Sequence, residues 1–118
     1  MIRFELPFPV STNGLFFNAA KGRVKTDRYK AWRRAAGEAI LAQGRKRIRG
    51  RVSASIALVR PDQRRRDLDN CMKAVLDLLV EMQVIDDDSL VQRISIQWVE
   101  SGPACAVIIQ HAEESLAA

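Results

Sequence analysis

Residues 52–83 read VSASIALVRPDQRRRDLDNCMKAVLDLLVEMQ, a strand pattern and a helix pattern joined by the most highly charged stretch of the chain. Val52, Ala54, Ile56 and Leu58 alternate with smaller residues, as in a sheet strand packed on both sides, and Pro61 ends the run. From about Leu68 to Gln83 the apolar period changes to that of a helix, with Leu68, Met72, Val75, Leu76, Leu79 and Met82 on one buried stripe. A strand, a loop and an amphipathic helix in succession point to an α/β fold.

The flanking sequence extends that unit. IRFELP (2–7) alternates and reads as a first strand closed by Pro7 and Pro9, and Ser11, Thr12, Asn13 and Gly14 form a polar loop. Thr26 or Asp27 can cap a helix running to about residue 43, with Tyr29, Trp32, Ala36, Ala39 and Ile40 on one face and Gly44 ending it. KGRVKTDRYK (21–30) reads as a basic loop, mobile until a ligand orders it. VQRISIQWV (91–99) and ACAVIIQ (104–110) are strand patterns whose separation by ESGP fits a hairpin, and EESLAA (113–118) is expected to fray. The expected architecture is one α/β (α+β) domain over residues 1–118: a small mixed sheet of about four strands with two main helices, in the order β-α-β-α-β-β.

Composition narrows the chemistry. A length of 118 residues and 47% hydrophobic content suit one packed domain. No apolar run is long enough to span a bilayer and the N-terminus lacks a secretory pattern, so the expectation is a cytoplasmic protein with no membrane partner. Cys71 and Cys105 fit neither a disulfide framework nor a zinc pattern, and a single histidine, His111, removes most His-based catalysis. Charge is strongly segregated. Residues 21–66 carry sixteen of the nineteen Lys and Arg residues against three acids, whereas residues 67–118 carry two against ten. That asymmetry suits a phosphate-rich partner on one surface and a cation on the other.

Asp67 and Asp69, two residues apart, cannot share a helical face, but they can converge if Asp67 is extended and Asp69 sits in the first turn. Lys73 is one turn beyond Asp69, and Asp77 continues that row. Asp67 also suits an ordinary N-cap, and DxD is a short motif that recurs by chance. A second acidic cluster, Asp86, Asp87 and Asp88, adds oxygen donors of the kind that hold Mg²⁺. About sixteen helical residues at ~1.5 Å each put the two clusters roughly 24 Å apart. An antiparallel pairing of two copies across a two-fold axis would bring them together.

RRRDLDN (64–70) followed by Lys73, then an acidic turn DDS (87–89) before an alternating strand, resembles the RusA family of Holliday-junction resolvases, small phage- and prophage-associated endonucleases. LPFPVSTN (6–13) resembles that family's opening, and the length matches end to end. The resemblance implies a homodimeric, Mg²⁺-dependent endonuclease, with Mn²⁺ as a substitute, in bacterial or phage-infected cells. Such an enzyme binds four-way DNA junctions, makes paired nicks in opposing strands during recombination and repair, and needs no small-molecule cofactor. Carried over by position, Asp67 and Asp69 match the family's DLD acids, Lys73 its essential lysine, Asp88 its third catalytic aspartate and Asn13 its polar N-terminal loop. Asp87 is the neighbour in the same acidic pair. Three acids at 86–88 in place of two depart from the pattern, and the ranking as metal ligand is Asp88, then Asp87, then Asp86.

Arg64, Arg65 and Arg66 would draw the DNA backbone toward the acids, with Lys21, Arg23, Lys25, Arg33 and the 45–51 patch extending the track. Phe16 and Phe17 remain open as DNA or dimer contacts. Two other classes compete: a non-catalytic nucleic-acid-binding module whose acids are caps and solvated loop, and a Mg²⁺-dependent hydrolase of a smaller phosphate substrate. The absence of a Gly-rich phosphate loop weighs against the second.

Overall fold

In the computed structural model, which describes residues 1–112, strand β1 (Ile2–Leu6) lies at one edge of a four-stranded sheet completed by β4 (Val52–Val59), β5 (Val91–Val99) and β6 (Cys105–His111). The spatial order is β1-β6-β4-β5, with β4 and β5 parallel and the other pairs antiparallel. Two helices, α1 (Asp27–Ala42) and α2 (Met72–Glu81), supply the apolar stripes that cover one sheet face. The fold is therefore the mixed α/β arrangement that the patterning predicts. The expected fraying of 113–118 lies outside the described residues.

The core joins Phe4 and Leu6 of β1, Val52, Ile56 and Leu58 of β4, and Val107 and Ile109 of β6 to Tyr29, Trp32 and Ile40 of α1 and Val75, Leu78 and Leu79 of α2. Trp32 satisfies its ring N–H on Pro7 O at 3.1 Å. Thr26 caps α1 by accepting the Tyr29 N–H. Beyond α2, Gln83 adopts a left-handed φ of 58°, so that Gln83 N–H reaches Val80 O and Val84 N–H reaches Leu79 O. Those two bonds and the buried Leu79 and Val84 side chains make a Schellman ending with glutamine in the position glycine usually takes.

Four local expectations are corrected. Residues 91–99 and 104–110 are not hairpin partners, because β4 lies between β5 and β6 and pairs with both. The connection through residues 100–104 steps over one strand, a gap of roughly 9.6 Å that five residues span easily. Second, β4 is packed on one side only: Val52, Ala54, Ile56 and Leu58 are buried, but Ser55 on the other face is exposed. Third, the basic segment is no loop. Strands β2 (Phe16–Ala19) and β3 (Gly22–Lys25) form an antiparallel hairpin turning at Ala20 and Lys21, with Gly22 at a φ of 115°. Fourth, the second helix starts as a 3-10 turn, Leu68–Cys71, before α2 proper.

The sheet edges differ. Along β1, Gln43 behaves as a substitute strand residue: its amide accepts the Glu5 N–H at 2.8 Å and donates to Glu5 O at 2.7 Å. β5 forms the other edge, and its core-side Ile94 remains 39% exposed.

Candidate metal and nucleic-acid site

The chain leaving β4 crosses an eight-residue loop and enters the 3-10 turn that carries the first two acids. Asp67 is extended (φ −96°, ψ 129°), whereas Asp69 lies inside the turn, held by Asn70 N–H on Asp67 O and Met72 N–H on Asp69 O. The side chain of Asp67 stands at the cap position but makes no capping hydrogen bond. Neither Asp67 nor Asp69 has a hydrogen-bonded or ion-paired side chain among the described residues, and both are exposed. Two adjacent carboxylates without a structural partner are what the simple cap reading does not explain.

The turn is fastened from its other side. Thr12 Oγ1 donates to Asn70 O at 3.2 Å, and the buried Cys71 thiol donates to Asp67 O at 3.6 Å. Burial pushes the Cys71 thiol up from its ordinary range, which keeps it a neutral donor. Asn13, next to Thr12, is exposed. Thus the polar N-terminal loop touches the acidic turn through Thr12, a residue that sequence reasoning placed in the loop but gave no role.

Lys73 Nζ pairs with Asp77 at 3.3 Å and not with Asp69. At the far end of α2 the three consecutive acids part company. Asp86 accepts from Arg47 and from Gly50 N–H, and the Arg47 guanidinium holds its carboxyl below the usual carboxylate range. Asp87 accepts the Ser89 hydroxyl at 2.9 Å, which lowers its carboxyl in the same direction. Asp88 has no cationic partner among the described residues and lies beside Asp87. Asp87 and Asp88 line a shallow groove with Arg33, Asp77, Val80 and Glu81, whereas Asp67 lines a different cleft with Arg65, Arg66, Asn70 and Cys71.

The donor set suits a hard divalent cation in chemistry, being carboxylate oxygens with open sides. It does not gather within one copy: among the described residues no three Asp, Glu, His or Cys side chains come close enough to hold a metal. The turn at 67–69 lies by the C-terminal ends of β4 and β5, and Asp88 precedes the N-terminal end of β5. Nine strand residues, eight steps of ~3.3 Å, put roughly 26 Å between those ends.

The basic residues also divide. Lys21 and Arg23 are exposed and Lys25 is half-buried on the β2–β3 hairpin, where the Arg23 guanidinium lies 4.5 Å from the Phe16 ring and Phe17 is half-exposed beside it. Arg64 is 83% exposed at its side chain, whereas Arg66 is 22% exposed and pairs with Asp62 at 2.8 Å. Arg33, half-buried, is tied to Glu81 by a hydrogen bond of 2.9 Å and lies over Tyr29, so it links the two helices.

The sequence model of the Endodeoxyribonuclease RusA family matches residues 7–110, which takes in the polar loop, the basic hairpin, both acidic turns and every strand but β1 and the last residue of β6. The chain belongs to the RusA family. A curated relative, Crossover junction endodeoxyribonuclease RusA of Aquifex aeolicus (strain VF5), is 31% identical over 58 residues. That alignment covers 48% of this chain and 46% of the relative, so this RusA-family chain matches about half the length of its curated relative. No helix among the described residues is long and apolar enough to cross a membrane.

Proposed function

We propose that this RusA-family protein is a Holliday-junction resolvase: an endodeoxyribonuclease that binds four-way DNA junctions as a homodimer and makes paired, Mg²⁺-dependent nicks in opposing strands. The observation that carries the reading is the pair Asp67 and Asp69, two exposed carboxylates with no structural partner among the described residues, directly following three arginines. Family membership supports the endonuclease class.

In this reading Asp67, Asp69 and Asp88 hold the cation, with Asp87 the next candidate. Asp86 is occupied by Arg47 and serves structure. The cation when bound supplies Lewis-acid activation of water and stabilises charge on the scissile phosphate. Lys73, released from or shared with Asp77, places a mobile positive charge near the developing negative charge or the departing oxygen. Arg64 and Arg65, with Lys21, Arg23 and Lys25, bind phosphates of the junction arms and offset the repulsion between DNA and the acids. Asn13 contributes a polar contact from the N-terminal loop.

Because one copy holds its acids at opposite ends of α2, the complete ligand set is taken to be composite, with Asp67 and Asp69 of one copy facing Asp88 of the other. This arrangement places two equivalent centres about a two-fold axis, as paired nicking requires.

The test uses a labelled synthetic four-way junction beside a matched linear duplex, with wild type and Asp69→Asn, each with and without Mg²⁺. Cleavage confined to the junction, dependent on metal and lost in Asp69→Asn while binding persists, supports the reading. Binding by wild type without cleavage in Mg²⁺ or Mn²⁺ replaces it with a junction-binding module, and no binding replaces it with a smaller phosphate substrate.

A further inference from the structure

Helix α1 and strand β4 are joined by an irregular strap, residues 44–51, that carries Arg45, Lys46, Arg47, Arg49 and Arg51. From Gly44 to Pro61 the chain holds no acidic residue, whereas an ordinary solvated face mixes the two signs. The strap is irregular but fixed in place. Arg45 Nη1 donates to Gln83 O at 3.2 Å and to Met82 O at 3.4 Å, carbonyls at the end of α2. Arg47 Nε and Gly50 N–H donate to the Asp86 carboxylate at 3.0 Å and 3.4 Å. Between them Ile48 is buried, and its N–H donates to Val84 O at 2.9 Å. At the entry to β4, Arg51 O accepts Ala112 N–H at 3.0 Å.

Arg45 and Arg47 are thus engaged in holding the strap. Lys46, Arg49 and Arg51 are exposed and have no hydrogen-bonded or ion-paired side chain among the described residues. We propose that these three form a second phosphate-binding surface for duplex DNA, separate from the β2–β3 hairpin and from Arg64 and Arg65. The choice of DNA as the ligand rests on the nuclease reading above. Val52, the first residue of β4, pairs with Val91 directly after the Asp88–Leu90 turn, so Arg51 stands at the Asp88 end of the sheet. Arg51 and Arg60 bracket β4, and nine steps of ~3.3 Å put roughly 30 Å between them. The strap and the arginines before the acidic turn therefore reach different phosphates. Backbone tied at several points leaves little but side-chain freedom to lose on binding. Like charges held this close repel one another, and bound phosphate relieves that repulsion.

The experiment measures binding of a labelled four-way junction across a salt series for three proteins: wild type, the combined variant Lys46→Gln, Arg49→Gln, Arg51→Gln, and Arg47→Gln alone. The combined variant should bind about 10- to 500-fold more weakly at ~0.1 M salt, and its plot of log affinity against log salt should flatten by up to about 2.7, that is ~0.9 for each phosphate released. Its melting temperature should stay at the wild-type value, since each bond that fixes the strap is kept. Arg47→Gln should do the reverse, melting earlier while keeping the wild-type salt slope. Phosphate ethylation interference on the same junction should show the combined variant losing contacts that a Lys21→Gln, Arg23→Gln, Lys25→Gln variant retains.

A combined variant whose affinity and salt slope match wild type overturns the proposal. Equal flattening by Arg47→Gln does so too, because the division between holding and contacting residues then fails. Loss of the same phosphates in the strap and hairpin variants overturns a separate surface. A wild type that binds the junction without ever cutting it defeats the nuclease reading alone, and the salt slopes still decide the strap.

Discussion

Asp69 and Asp86 are both exposed aspartates in short turns, yet their surroundings assign them opposite duties. Asp69 has no side-chain partner among the described residues, while Asp86 is bound by Arg47 and Gly50. Replacing Asp69 by Asn should therefore cut junction cleavage by on the order of a hundredfold or more, the cost of losing one preorganised charged group. Asp86→Asn should leave the cleavage rate near wild type and lower only the melting temperature, as parallel rate and thermal-melt measurements would register. Cys105 gives a prediction in pH. Burial pushes its thiol up to about 12, while in the unfolded chain it ionises at ~8.5. The folded pKa is the raised one, so the contribution is fully present below the unfolded value. It is lost as pH climbs toward 12, with about 2 kcal/mol gone by pH 10. Urea unfolding of wild type and Cys105→Ala at pH 8 and pH 10 checks this: the alkaline loss should be smaller in the variant. The identity of these residues was legible in the sequence, but their engagement was not. Which of three consecutive aspartates lacks a cationic or hydroxyl partner among the described residues depends on Arg47 and Ser89 folding back onto the first two, and only the second of those partners is a near neighbour in the chain.

Helix α1 and the stripe of α2 were plain in the sequence because long amphipathic periodicity is a strong signal, and the caps agree with it at Thr26. The β2–β3 hairpin was missed for a physical reason. Its residues are mostly exposed, so no apolar alternation marks them, and its turn at Ala20 and Lys21 lacks the usual turn dipeptides. The basic side chains there form an arm tied at its base by Thr26, whose hydroxyl donates to Gly14 O at 2.7 Å. Changing Lys21, Arg23 and Lys25 together to Gln should weaken junction binding and flatten the plot of log affinity against log salt by about 0.9 for each phosphate no longer neutralised. Binding measured across a salt series would show an unchanged slope if the arm is not used. Helix endings offer a stability test. Gln83 holds a left-handed φ of 58° that a side chain adopts at some cost, so Gln83→Gly should raise stability by up to about 1 kcal/mol in denaturant titration.

At the scale of the whole molecule, the composite dimeric site proposed above makes a prediction that no single variant can. Asp69→Asn and Asp88→Asn should each be inactive alone, yet a mixture that exchanges subunits should regain nicking, because one of the two shared centres in the mixed dimer keeps all its acids. If each copy instead carried a self-contained centre, the mixture would stay inactive in the same junction assay. The one-sided sheet and the separation of β5 from β6 were beyond local reading, since a five-residue connection looks the same whether or not a third strand lies beneath it. That interposed order also bears on how the chain is made. β1 and β4 leave the ribosome early but are not neighbours; the slot between them is filled by β6, the last of the described strands to be synthesised. Until residues 105–111 emerge, β1 has no strand partner, and long-range pairing of this kind is slow. The nascent acidic turn would therefore wait, already translated, on a half-built sheet that β6 locks from the middle.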